Sequence, residues 1–288
     1  MNYQLRKTSR IKPITAYLKK SVKFYDIDNP LVAQITFIIL LAVVFGGYLF
    51  MMPHARDLSI IYEQIGNRII GQMEELNNFD LGMALLSSDL YIEMINTLTT
   101  VSLILLLIKS VSFLVSLFYG SWYYLSHSDP GMPGKKRTAL FFKRLPKIII
   151  FNIIFYLGLY IAVIAFFTVA VIISVLIPFF AILVILVPIA AVLILKLFAF
   201  KDLLIIEFNP GIFRNLKKSV QLTRGSRRNV IINGLWPFFA GWILSYLAIG
   251  FENQMISLLI ASFLEVIILM VSQRLNALMF LDALSPEN

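Results

Sequence analysis

The chain has 288 residues, 59% hydrophobic and 14% charged, where a soluble domain carries about 25% charged residues. So little polar surface excludes a water-soluble globule and leaves room for one membrane domain over 1–288, without a sizeable soluble enzyme domain beside it. The net charge of +9 comes with no cysteine and with His54 and His127 alone. This excludes a disulfide framework, a thiolate nucleophile, a cysteine metal site and a multi-histidine centre, and no cofactor is expected.

Residues 1–30 hold seven basic side chains, Arg6, Lys7, Arg10, Lys12, Lys19, Lys20 and Lys23. Interleaved Ile11, Ile14, Tyr17, Leu18, Val22 and Phe24 make this an amphipathic segment suited to an anionic cytoplasmic leaflet. No small-x-small cleavage pattern follows the first apolar run, so 32–52 reads as a retained first span. The segment 53–98 follows with Arg56 and Arg68 against seven acids. Ile61, Ile65, Ile69, Met73 and Leu76 recur at helical spacing, which predicts a helix lying on the bundle or at the interface; a lid over a cavity is the sharper alternative. The second span, 99–120, carries Lys109 near its middle. After it come Trp122, Tyr123 and Tyr124, read as interface anchors. Residues 121–147 add six basic side chains, Lys135, Lys136, Arg137, Lys143, Arg144 and Lys147.

Residues 148–200 carry one charge, Lys196. The run is too long for one crossing and predicts two antiparallel spans turning between Ala170 and Pro188; Lys196 snorkels towards headgroups. Residues 201–229 hold seven basic side chains, Lys201, Arg214, Lys217, Lys218, Arg224, Arg227 and Arg228. Within them Asn209 suits a helix N-cap, Pro210 a first helical position and Gly225 a left-handed stop. The helix between them places Ile212, Phe213, Leu216, Val220 and Thr223 on one face, with Arg214, Lys217, Lys218 and Gln221 largely opposite. Arg214, Lys217, Lys218, Arg224, Arg227 and Arg228 are candidate contacts for lipid phosphates; a solvated connector face is the alternative. The fifth span is 230–249 and the sixth 256–276, with Glu265 near its middle. Gly46, Gly47, Gly234 and Gly241 allow close helix approach.

The long apolar helix followed by a short basic helix with Lys218-Ser219, Leu222-Thr223 and Gly225, and then another span, resembles an uncharacterised group of bacterial six-helix membrane proteins. That group is similar to the membrane domain in front of some glycerophosphodiester phosphodiesterases. The resemblance covers about residues 185–250 and implies a six-helix fold and a bacterial source. It carries over no catalytic residue, because no phosphodiesterase barrel fits in this length. The chain departs from the group at Lys201-Asp202, where an apolar or proline position is expected.

Six spans put 20 of the 25 basic residues on one side, which predicts both termini in the cytoplasm of a bacterial cell and the 53–98 segment outside. The expected fold is all-α, a polytopic transmembrane bundle with amphipathic interfacial helices. Lys109 and Glu265, at similar depth, are expected to pair, since an unpaired charge in mid-membrane is expensive. No Walker lysine loop, HExxH, GxSxG or dinucleotide turn is present. The expected role is a non-enzymatic accessory, scaffold or envelope-homeostasis protein acting on membrane lipids or a membrane-protein partner, with no nucleic acid. The first alternative is a small-molecule or lipid transporter using Lys109 and Glu265. The second is a lipid-modifying enzyme built around Asp202, Glu207 and nearby arginines.

Overall fold

In hydrocarbon no water can satisfy backbone N–H and C=O groups, so long apolar runs must be helical. The computed structural model describes residues 11–72, 88–249 and 251–285. Among these there are nine α-helices and no strand. They are α1 (Ile14–Val22), α2 (Pro30–Gln72), α3 (Asp89–Ser128), α4 (Gly134–Leu176), α5 (Ile182–Leu197), α6 (Lys201–Phe208), α7 (Ile212–Thr223), α8 (Arg227–Ile249) and α9 (Gln254–Leu284), with a 3-10 turn at Pro178–Ala181. Among the described residues six stretches are long and apolar enough to cross a membrane: α2, α3, α4, Phe179–Phe208, α8 and α9. The protein is an all-α, multi-pass bundle of this kind.

Several helices exceed the bilayer. α2 has 43 residues, about 64 Å at 1.5 Å per residue, against a hydrocarbon core of about 30 Å. It runs unbroken through Pro53, so residues 53–72 continue the first span and are not a separate helix laid on the bundle. Ile61, Ile65 and Ile69 form its less exposed face. Met73 and Leu76 lie outside the described residues, as do Arg6, Lys7 and Arg10. α3 likewise starts at Asp89, ten residues before the predicted second span. The turn within 148–200 falls at Ile177–Ala181, where Ile177 is extended and Pro178 opens the 3-10 turn.

The chain divides into two compact units. One comprises Met1–Gln34, Leu117–Ile243 and Ile267–Asn288; the other comprises Ile35–Ser116 and Leu244–Val266. In the first, the core is aromatic and arginine-pinned. Trp122, Tyr123 and Tyr124 are buried here rather than anchored at an interface. Trp122 Nε1 donates to Asp28 Oδ1 at 3.1 Å, and Arg137, 4% exposed, bonds Asp28 Oδ2. Arg274 stacks over the Tyr123 ring at 4.4 Å and donates to the carbonyls of Lys23 and Asp26. Tyr119 donates to the Phe24 carbonyl. These bonds close the 23–29 loop over the aromatic cluster, which is why the aromatic run is core.

α1 also packs on this unit. Its Tyr17 is buried, donates to Asp282 Oδ2 at 2.6 Å and accepts from Lys12 N at 3.0 Å. Burial, and then the bond to Asp282, raise the pKa of the Tyr17 hydroxyl. Tyr17 and Ser21 of α1 are thereby spent on protein, while Val22, Lys19 and Lys20 stay exposed. Just before it, Ile11 and Lys12 are strapped to α8: the Asn229 amide donates to Ile11 O at 2.7 Å and the Asn233 amide to Lys12 O at 3.0 Å.

In the second unit, Gly47 of α2 sits against α3. A Cβ at Gly47 would lie 2.5 and 2.7 Å from Ile108 side-chain carbons, whereas one at Gly46 would meet nothing within 4 Å. Close approach therefore belongs to Gly47 alone of the two.

Candidate functional site

Three groups of polar residues stand out. The first joins the predicted intramembrane charges within the second unit. Lys109 Nζ lies 2.5 Å from Glu265 Oε1, as the matching depths of the two spans predict. The sequence reading missed the third member, Tyr48 of α2. Its hydroxyl accepts from Lys109 Nζ at 2.7 Å and donates to Glu265 Oε2 at 2.6 Å. Three hydrogen bonds close a ring in which each group binds the other two. The Lys109 side chain is 53% exposed all the same, so the ring lies at the surface of the unit. Position in the span was a signal for Tyr48, a hydroxyl one residue past Gly46-Gly47; a tyrosine's polar tip is usually assigned to an interface.

The second is a buried knot at the start of α6, in the first unit. Lys201 Nζ donates to Asp202 Oδ2 at 2.7 Å and to Asn152 Oδ1 of α4, and Asn152 Nδ2 donates to Asp202 Oδ1 at 2.7 Å. The ammonium also lies 5.4 and 5.2 Å from the ring centres of Phe155 and Tyr156. Lys201 and Asp202 are 5% and 7% exposed. Asn152 ties both charged side chains at the start of α6 to α4. Asp202 is fully engaged, and Glu207 is exposed, away from this knot.

The third is the basic surface around α7. Asn209 is not the N-cap of α7. It closes α6 in the left-handed conformation, with φ 47°, and Gly211 caps α7. Lys147 of α4 donates to Asn209 O and Oδ1 at 3.0 and 2.8 Å, which fixes the reversal. The side of α7 turned inward is polar: Asn215, Ser219 and Thr223 are fully buried, at i, i+4 and i+8. Asn215 Nδ2 donates to Lys201 O at 2.8 Å and Ser219 Oγ to Leu197 O at 3.4 Å. Small polar side chains bring α7 close to the α5–α6 junction and satisfy carbonyls there. Phe213, on the predicted apolar face, is 88% exposed.

This docking sorts the predicted phosphate contacts. Arg224, Arg227 and Arg228 are brought together around a cleft of about 630 Å³ also lined by Val220, Gln221 and Gly225. Gly225, at φ 88°, makes the turn from α7 into α8, as predicted. Arg214 and Lys217 are exposed but do not line the cleft. Lys218 is engaged elsewhere, 4.3 Å over the Phe208 ring. No carboxylate pairs with the three cleft arginines among the described residues.

Lys196 lays its stem across α8, where a Cβ at Gly234 would come 3.0 Å from Lys196 Cδ. No group of three metal-ligating side chains exists among the described residues. Comparison with family models, with curated proteins and with solved structures returns no match.

Proposed function

We propose that this chain is a non-enzymatic multi-pass component of a bacterial cytoplasmic membrane, an accessory or scaffold protein working through lipid and protein contacts. The observation that carries the reading is how charge is distributed. Lys109 and Glu265 satisfy each other and Tyr48, and Lys201 and Asp202 satisfy each other and Asn152. Neither cluster leaves an acid or base free to work on a substrate. Exposed cations lie instead outside both clusters, among them Lys19 and Lys20 of α1, Arg214 and Lys217 of α7, and the arginines at the start of α8. Six spans with both termini on the basic side fit the same reading, since basic loops are retained in the cytoplasm. An enzyme built on Asp202 and Glu207 is disfavoured, because Asp202 is buried in its knot.

A transporter remains the second reading, on one observation: the Lys109 side chain is half exposed on an apolar span. Native mass spectrometry of the protein gently extracted with its lipids separates the two. A stoichiometric protein partner retained by wild type, Lys109→Met and Glu265→Gln alike supports the scaffold. A small molecule that comes along with wild type and is lost from both variants supports the transporter and rejects the scaffold.

A further inference from the structure

On the reading that the protein works through lipid contacts, we infer that the Arg224–Arg227–Arg228 cleft binds the phosphate of a net-anionic glycerophospholipid, with the acyl chains lying along α8. The volume of about 630 Å³ falls in the range of about 300–1,000 Å³ typical of small-ligand sites. Three guanidinium groups line it, and a guanidinium fork matches phosphate oxygens bidentately. The cleft also faces the first turn of α8, a helix of 23 residues whose first N–H groups have no partner within the helix. Its partial positive charge adds to that of the arginines.

The apolar half of the site comes from helical spacing. From Arg228, steps of four and three residues reach Ile232, Leu235, Phe239 and Trp242 on one side of α8. Ile232, Phe239 and Trp242 are exposed, so an apolar and aromatic track leads from the cleft along the span. A free phosphate would use the arginines and leave that track idle. A phospholipid uses both: its headgroup sits at the start of a span, where the interface lies, and its chains run with the helix. Net negative charge is required because three arginines with no carboxylate partner among the described residues favour a headgroup without its own cation. The site belongs to the cleft arginines alone, since Lys218 is held over Phe208 and Arg214 and Lys217 lie outside the cleft.

The test uses the full chain in vesicles of phosphatidylcholine with a minor fraction of phosphatidylglycerol. The acyl chains of one lipid or the other are brominated, and the reporter is quenching of Trp242 fluorescence in a Trp122→Phe/Trp236→Phe background, which leaves Trp242 as the single tryptophan. Brominated phosphatidylglycerol is expected to quench more than brominated phosphatidylcholine at the same mole fraction. The relative affinity should fall about fivefold for each arginine changed to Gln. Arg214→Gln with Lys217→Gln should keep the preference, and excess inorganic phosphate should leave it in place. If the triple variant melts early, the single Arg228→Gln and Arg227→Gln variants give the same readout. An unchanged preference in the arginine variants overturns the inference, as does an equal loss in Arg214→Gln/Lys217→Gln, which would mark diffuse leaflet attraction. Displacement by phosphate alone overturns the lipid as occupant. Any of these failures leaves the scaffold reading standing, because that is decided by the retained partner and by Lys109 and Glu265.

Discussion

Asp202→Asn tests the physical account of the buried knot most sharply. The substitution keeps the size and shape of the side chain but removes its charge. In the native protein Asp202 accepts two hydrogen bonds at 2.7 Å, one from Lys201 Nζ and one from Asn152 Nδ2. An amide offers one acceptor oxygen and one donor nitrogen, so one of those two donors is left facing another donor. Lys201, 5% exposed, then keeps only neutral partners for its ammonium among these contacts. Breaking a buried ion pair from one side costs about 3–5 kcal/mol. For a chain of this size that lowers the melting temperature by on the order of 10 °C. Unfolding is followed in detergent by tryptophan fluorescence. Adding Lys201→Met removes the stranded charge and leaves the Asn152 and position-202 amides able to pair. The double variant should therefore melt above Asp202→Asn alone, although it carries one substitution more. A single variant melting within about 2 °C of the parent, or a double variant showing simple additivity, would refute the reasoning.

Gly47→Ala should destabilise by about 1–3 kcal/mol through the clash with Ile108, be relieved by Ile108→Ala, and contrast with a near-silent Gly46→Ala in the same melting assay. Asp28 is partly buried, which works against its charge, but Arg137 and Trp122 hold its carboxyl below the usual 3.8. A lowered pKa adds stability that is complete above the ordinary value and is lost as pH falls through the folded one. Acid should therefore release the 23–29 loop, read as a change in Trp122 emission, and Arg137→Gln should move that change to higher pH. Because Asp28 is nearly half exposed, its own contribution stays at or below about 1 kcal/mol. Asn209→Gly should be tolerated and Asn209→Val should cost about 1–2 kcal/mol, because only the first accepts the left-handed backbone; the comparison is of melting temperatures.

Much of the architecture was legible because a bilayer constrains a sequence so strongly. Apolar length gave the spans, and the charge-poor run 148–200 gave a hairpin whose turn at Ile177–Ala181 lies inside the predicted window. Helix ends were harder to read. Polar residues can extend a span into water without any change of helical period, so α2 passes through Pro53 to Gln72 and α3 begins at Asp89. The Lys109–Glu265 pair could be inferred because two lone charges at similar depth leave few other partners. Tyr48, despite its position in the span, and Asn152 were harder to pick, since neutral polar residues in spans are common and three-dimensional registry selects which of them completes a cluster. Which side of α7 packs on the protein was not legible for a related reason. Amphipathicity ranks side chains by hydrophobicity, whereas Asn215, Ser219 and Thr223 are buried because they are small and can hydrogen-bond backbone carbonyls, and Phe213 is left outside.

The same local chemistry connects the buried knot to the exposed cleft. Lys201 is held by its side chain to Asp202 and Asn152, and by its carbonyl to Asn215 of α7. With its polar side engaged, α7 must turn its basic residues outward, and with φ 88° at Gly225 the chain enters α8 so that Arg224, Arg227 and Arg228 face one space. Ile11 and Lys12 clamp the beginning of α8 from a remote part of the chain through Asn229 and Asn233. Arginines on a free connector would sample many positions and meet lipid phosphates only through average charge. Held between a pinned α7 and a strapped α8, three of them converge before any ligand arrives, which lowers the ordering cost of binding. Diffuse attraction responds to the total number of cations; a preorganised cleft responds to which cations are present. For that reason the contrast between Arg224, Arg227 and Arg228 on one hand and Arg214 and Lys217 on the other carries more information than the loss of positive charge by itself.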